Sequence, residues 1–220
     1  VKITTGKNNR VLGSQALSNE TDGDYNVAIG WKAARNMTGA TDNVVIGYKA
    51  MANIDNNPGD EIANCVAIGY EAFLGSDNNS TGTTTDANGT IAIGHSSLKV
   101  LTSGIGNTAV GYEALLVEDD GDYNTAVGHQ ALTAQTGTSG TVANTAIGYQ
   151  AGLDITTGTQ NTLMGYLAAH NLTVAGHNTA LGSEALASED VGDFTVAIGY
   201  RTGYYQNSDS NTEDTGNTLV

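Results

Sequence analysis

The stretch GNTAVGYEAL, Gly106–Leu115, returns seventeen residues later as YNTAVGHQAL, Tyr123–Leu132. Related copies follow as ANTAIGYQAG, Ala143–Gly152, and HNTALGSEAL, His177–Leu186. One catalytic site has no use for so many near-copies, whereas a structure made by stacking equal units requires them. With the glycine of each A-[IV]-G or its equivalent set as position 0, the series is Gly13, Gly30, Gly47, Gly69, Gly94, Gly111, Gly128, Gly148, Gly165, Gly182 and Gly199. The steps are 17, 17, 22, 25, 17, 17, 20, 17, 17 and 17, a base period of 17 with insertions of 5, 8 and 3 residues. Eleven units occupy the chain, and Val220 stands one residue short of a twelfth glycine.

Within the unit each position keeps its character. Position −4 is usually Asn (Asn26, Asn43, Asn107, Asn124, Asn144, Asn161, Asn178), and −3 is Val, Ile or Thr in all but the first unit. Position −2 is mostly Ala (Ala28, Ala67, Ala92, Ala109, Ala126, Ala146, Ala180, Ala197) and −1 is always a large aliphatic residue. Position +1 is mostly aromatic or His, +3 usually Ala, and +4 often Leu. Alternation from −3 to +1 is the period of a strand. A second short apolar run, Ala114–Val117, is followed by the turn EDDGDYN, Glu118–Asn124. The unit therefore reads as strand, corner, strand, turn, since seventeen residues are too few for a strand, a helix and two loops. Each coil buries its apolar face only against its neighbours, so the fold class is all-β: a parallel β-solenoid of the β-roll kind. Its coils would stack about 4.8 Å apart into a rod on the order of 50 Å long. Residues 1–220 form one repeat domain, expected to be a piece of a longer fibre chain because it begins without Met and stops inside a unit.

If the large −3 and −1 residues fill the interior, the alanines at −2 and the glycines at 0 face outward as a flat stripe of small residues. Extended apolar stripes mark interfaces, so those eight alanines are expected to form an oligomer contact. The Asn at −4 is expected to be a structural corner, tolerating left-handed φ and satisfying nearby backbone.

Units such as NVAIGW (Asn26–Trp31), NTAVGY (Asn107–Tyr112) and TVAIGY (Thr195–Tyr200) resemble the head repeats of YadA-like trimeric autotransporter adhesins. The longer form NTAVGYxAL more closely resembles repeats of phage tail-fibre proteins. The likeness spans Gly13–Gly199; it departs from the adhesin heads in the 17-residue period and the three insertions. It implies a left-handed roll, a homotrimer and a non-enzymatic role in a virion fibre or on a bacterial surface.

Composition narrows the partners. Eight Lys+Arg against 23 Asp+Glu give a net charge of −15, which disfavours nucleic acid and anionic membranes. No apolar run approaches the ~18 residues of a membrane span. Cys65 is the single cysteine, so no intrachain disulfide forms.

Acidic turns hold Asp22 and Asp24, and Asp119, Asp120 and Asp122, which makes them calcium candidates by ligand type but not by spacing. No other cofactor is expected. His95 and His129 lie two coils apart, roughly 10 Å, too far to share zinc. Glu71, Glu113 and Glu184 sit at the ordinary polar position +2, so a tailspike-like polysaccharide hydrolase ranks below a solvated face. The +1 aromatics could stack on sugars or close the roll. All three insertions fall between the second apolar run and the next −4 corner. The first two, with Asp55, Asn56, Asn57, Asp60 and Asp77, Asn78, Asn79, Asp86, are expected to stand side by side as receptor loops for a host surface glycan or protein.

Overall fold

The computed structural model describes residues 6–54, 62–75, 87–137, 140–190, 192–206 and 216–220. Among them there is no helix. Residues −3 to −1 of every unit form a three-residue strand, as in Thr108–Val110 and Thr125–Val127. Twelve strands stack in chain order in one sheet. The pairing is parallel and joins equal repeat positions, Ala109 to Ala126 and Ala146 to Leu163. The protein is thus a parallel β-solenoid whose period is that of the sequence.

The two faces of the strand are the reverse of the expectation. Ala28, Ala67, Ala92, Ala109, Ala126, Ala146, Ala180 and Ala197 are wholly buried inside their own chain. They face the coil interior, so they are not an outward oligomer stripe. The −3 and −1 residues point outward and are partly or fully exposed. The reason is thickness: the interior already holds Ala at +3, such as Ala33 and Ala114, and a large residue at +4, such as Leu115 and Leu132. A flattened coil with a leucine entering from one side leaves room for only a methyl group from the other.

The second apolar run is not a strand either. From +1 to +6 the backbone is a chain of turns in which +2 and +4 take left-handed φ, for example Glu113 at 53° and Leu115 at 50°. Its amides still bond coil to coil: Leu115 N donates to Ala131 O at 3.1 Å and Gln130 N to Tyr112 O at 2.8 Å. This segment carries the buried side chains +3, +4 and +7, the last being Met37, Ile54, Leu101, Ile155 or Leu172 in apolar coils.

Position 0 must be glycine. Its φ lies between 130° and 144° in every unit, and a β-carbon on Gly111 would lie 2.2 Å from the carbonyl oxygen of Gly128. The glycines form a column through which successive coils touch backbone to backbone.

The −4 asparagines form a second column. Asn26, Asn43, Asn107, Asn124, Asn144, Asn161 and Asn178 are buried. Oδ1 of Asn107 accepts the Asn124 amide at 2.8 Å, and its Nδ2 donates to Gly121 O at 2.7 Å. One side chain thereby ties two coils and spans a corner. The left-handed residue is the one before it, at −5 (Tyr25 at 58°, Tyr123 at 61°), and not the asparagine. Two other residue types fill the position. Sγ of Cys65 donates to Ala87 O at 3.1 Å, and Oγ1 of Thr90 to Gly104 O at 3.4 Å. Burial pushes the Cys65 thiol up to about 11, so it stays a neutral donor.

Asn144→Ala should therefore be costly. Its Nδ2 donates to Gly158 O at 2.6 Å and Gln135 Oε1 at 2.7 Å, and its Oδ1 accepts the Asn161 amide at 2.8 Å. Leaving those groups unsatisfied should destabilise by about 2 kcal/mol in urea melts. Gln160→Ala, one residue before the next corner and exposed, should change stability by less than about 0.5 kcal/mol.

Candidate functional site

Positions −3, −1 and +1 share the outward face of the sheet. In the middle coils this face reads Thr, a large aliphatic residue and an aromatic ring, as in Thr145, Ile147 and Tyr149. Leu181 is 43% exposed and Ile198 40%, in a protein whose interior positions are near zero. The face is about 13 Å across and extends along the stack, an area on the order of 600 Å². That is at the top of the range for apolar patches on monomers.

The +1 rings form a continuous column from Trp31 through Tyr48, Tyr70, His95, Tyr112, His129 and Tyr149 to Tyr166. Neighbouring centroids are 4.8–5.4 Å apart and the planes lie within 22°. Each inner ring has both faces covered by its neighbours and offers only its edge outward. Stacking of a sugar on these inner faces is therefore blocked. His95 and His129 are separated by the ring of Tyr112.

Beside the rings, the +2 acids are tied to neighbouring coils. Glu71 lies 2.9 Å from Lys99 Nζ and 3.7 Å from Lys49 Nζ. Burial pushes its carboxyl up, but the two lysines together hold it below the ordinary value. Glu113 Oε2 accepts from Gln130 Nε2 at 2.9 Å, which lowers that carboxyl. Glu184 pairs with Arg201 at 2.6 Å. These three carboxylates act as ties between coils.

The acidic turns are more elaborate than their composition implies. Asp24 accepts the Lys7 amide, Asp122 the Ile105 amide at 2.9 Å, and Asp193 the Gly176 amide at 2.7 Å, each from the preceding coil. Asp22 accepts the Thr21 hydroxyl at 2.8 Å. Asp24 and Asp122 are thus inter-coil acceptors. The residue that organises each turn is a glutamate at the core position +7: Glu20, Glu118 and Glu189, all buried. Glu118 Oε1 accepts the amides of Asp119, Asp120 and Gly121 at 3.1, 3.3 and 2.8 Å. Glu20 Oε1 does the same for Thr21, Asp22 and Gly23, and takes Gly39 N from the next coil at 2.9 Å. Desolvation still dominates at Glu118 and pushes its carboxyl up to about 7, against the pull of the three amides. Burial, with Asp119 and Asp122 nearby, also raises Asp120.

Among the described residues, Glu118, Asp119 and Asp120 are the acidic group whose oxygens come within 4.8 Å of one another. Asp119 and Asp120 were read as calcium candidates from sequence; Glu118 was missed. The signal was present, since E-x-x-G-D-[YF] occurs at Glu20–Tyr25, Glu118–Tyr123 and Glu189–Phe194 with the glutamate always at +7. Described residues on both sides of the 3-residue insertion lie against this turn. Gly140–Thr141 pairs in parallel with Gly121–Asp122, and a β-carbon on Gly137 would sit 2.2 Å from Asp120 Oδ1. The proposed receptor-loop residues Asp55, Asn56, Asn57, Asp60, Asp77, Asn78, Asn79 and Asp86 lie outside the described residues.

No family model matches the chain, and comparison with curated proteins and with solved structures gives no match.

Proposed function

We propose that the chain is a non-enzymatic segment of an extracellular fibre: a homotrimeric β-roll rod of the phage tail-fibre kind, with the head of a bacterial trimeric adhesin as the alternative. The observation that carries this reading is the outward apolar face. A single chain leaves a column of Val, Ile, Leu and Met at −1 flanked by an aromatic column at +1, both parallel to the rod axis. Copies related by rotation about that axis would bury the same face on every chain. The likeness of the NTAVGYxAL units to tail-fibre repeats points the same way. The +2 carboxylates support a structural rather than hydrolytic role, because each is engaged with a neighbouring coil. No helix among the described residues is long and apolar enough to cross a membrane.

The test is oligomeric state. Sedimentation of the chain should give a trimer at micromolar concentration. The double variant Val127→Glu, Ile147→Glu places two charges on the outward face without touching the interior. It should sediment as a monomer and keep the β-sheet circular dichroism, because burying unpaired charge between chains is prohibitive. A wild-type monomer, or a trimer indifferent to the double variant, would rule the reading out.

A further inference from the structure

The corner residue at −5 projects outward in every coil, and its column changes character midway. Asn8, Tyr25, Asp42 and Asn64 fill the first rungs; Gly89 and Gly106 follow, then Tyr123. Two successive glycines leave two rungs without a side chain of their own in a column spaced about 4.8 Å. A β-carbon on Gly89 would meet none of the described residues within 4 Å. At Gly106 it would come 2.9 Å from Tyr123 Cδ1, so the tyrosine ring leans over the glycine and walls one end. The result is a cavity of about 460 Å³ lined by Asn88, Ser103, Ile105, Gly106, Asp122 and Tyr123.

The lining is specific in chemistry. Tyr123 is 51% exposed. Asp122 belongs to the lining, with its Oδ1 accepting the Ile105 amide at 2.9 Å. Asn88 Oδ1 accepts the Ala63 amide at 2.7 Å, which fixes the side chain and leaves its NH₂ as the group that can donate. Ser103 adds a hydroxyl. A flat ring, a carboxylate acceptor, an amide donor and a hydroxyl are what a pyranose requires: its C–H face stacks on the aromatic ring while its hydroxyls donate to the acid and accept from the amide. The volume is within the range of small-molecule sites. Asp122 in the wall, Asp119 and Asp120 in the same turn and a net charge of −15 disfavour uronic and sialic acids.

We propose that this cavity is a binding site for a short segment of neutral glycan, built of hexose or acetamido-hexose units. It gives the segment a recognition role beyond that of a shaft, and it does not depend on the oligomeric state. In an assembly of several chains the weak single sites would act together.

The chain is applied to an array of neutral hexose and N-acetylhexosamine oligosaccharides printed beside sialylated and uronic-acid glycans. The strongest neutral oligosaccharide is then titrated by calorimetry. Tyr123→Ala removes the ring, and Asp122→Asn replaces the free carboxylate oxygen while keeping Oδ1 for the Ile105 amide. Each should weaken binding at least about tenfold. Tyr25→Ala is the control: the same register, equally exposed, but flanked by Asn8 and Asp42 rather than glycines; it should bind as wild type. If Tyr123→Ala melts early, Asp122→Asn decides alone. Retention of no neutral oligosaccharide, binding unchanged in the variants, an equal loss in Tyr25→Ala, or a preference for acidic glycans would each overturn the proposal.

Discussion

Gly111→Ala should destabilise the rod by about 4 kcal/mol or more. Two costs combine. Gly111 has φ +144°, where an L-residue is strained by about 1–3 kcal/mol. The added carbon would also lie 2.2 Å from Gly128 O and 2.6 Å from its carbonyl carbon. That obstacle is backbone, which has no rotamer to change, so the coils must separate. Separation stretches the bond from Gly128 N to Val110 O, 2.8 Å, and that from Gln130 N to Tyr112 O, also 2.8 Å. Gly89→Ala isolates the conformational part: φ is +68° and no described residue lies within 4 Å of the added carbon, so the expected cost is about 1 kcal/mol. Urea melts of the two variants should differ by several-fold in effect. Equal midpoints would mean that the glycine column is not where the coils meet.

The same column explains what was legible in the sequence. The period, the strand at −3 to −1 and the glycine at 0 all follow from spacing, because backbone contact between coils tolerates one residue type. Which face points inward did not follow. Both faces of the strand are apolar, Ala and Gly on one side and Val and Ile on the other, and alternation alone treats them alike. The larger residues would ordinarily be placed inside; here the coil is too thin, and Ala126 is buried while Val127 is not. The proposed oligomer contact therefore moves from the alanines to Val127, Ile147, Leu181 and their equivalents on the outward face. The corner column was legible as asparagine, yet Cys65 and Thr90 take the same place by hydrogen bonding rather than by similarity of sequence. The glutamates at +7 looked like turn residues because their neighbours are Asp and Gly. Only the register, shared with Leu101 and Ile155, places them in the core.

That placement has a consequence for pH. Glu118 holds its proton up to about pH 7 when folded, against an ordinary value of 4.5. Desolvation is the first cause: the carboxyl stands where other coils have leucine or isoleucine. A carboxyl whose folded value is raised stabilises fully below its unfolded value, and that contribution is lost as pH rises through the folded value. The rod should therefore become more stable as pH falls from about 7 to about 4.5, by on the order of 3 kcal/mol. Glu71 and Glu113 are lowered and act with the opposite sign. Their contribution is present above the ordinary carboxylate value and lost as pH falls below it, so the two windows do not cancel. Maximum stability should lie near pH 5. Urea melts between pH 4.5 and 8 give the slope for wild type and for Glu118→Gln. Glutamine keeps a carbonyl oxygen for the three turn amides but has no proton to exchange. Its absolute stability depends on where its NH₂ finds a partner, so the slope is the informative quantity. The variant should lose most of the slope, with a remainder from Asp120, which is raised by the same burial. A wild-type rod whose stability is flat from pH 5 to 8, or a Glu118→Gln variant with the full slope, would place the titration elsewhere.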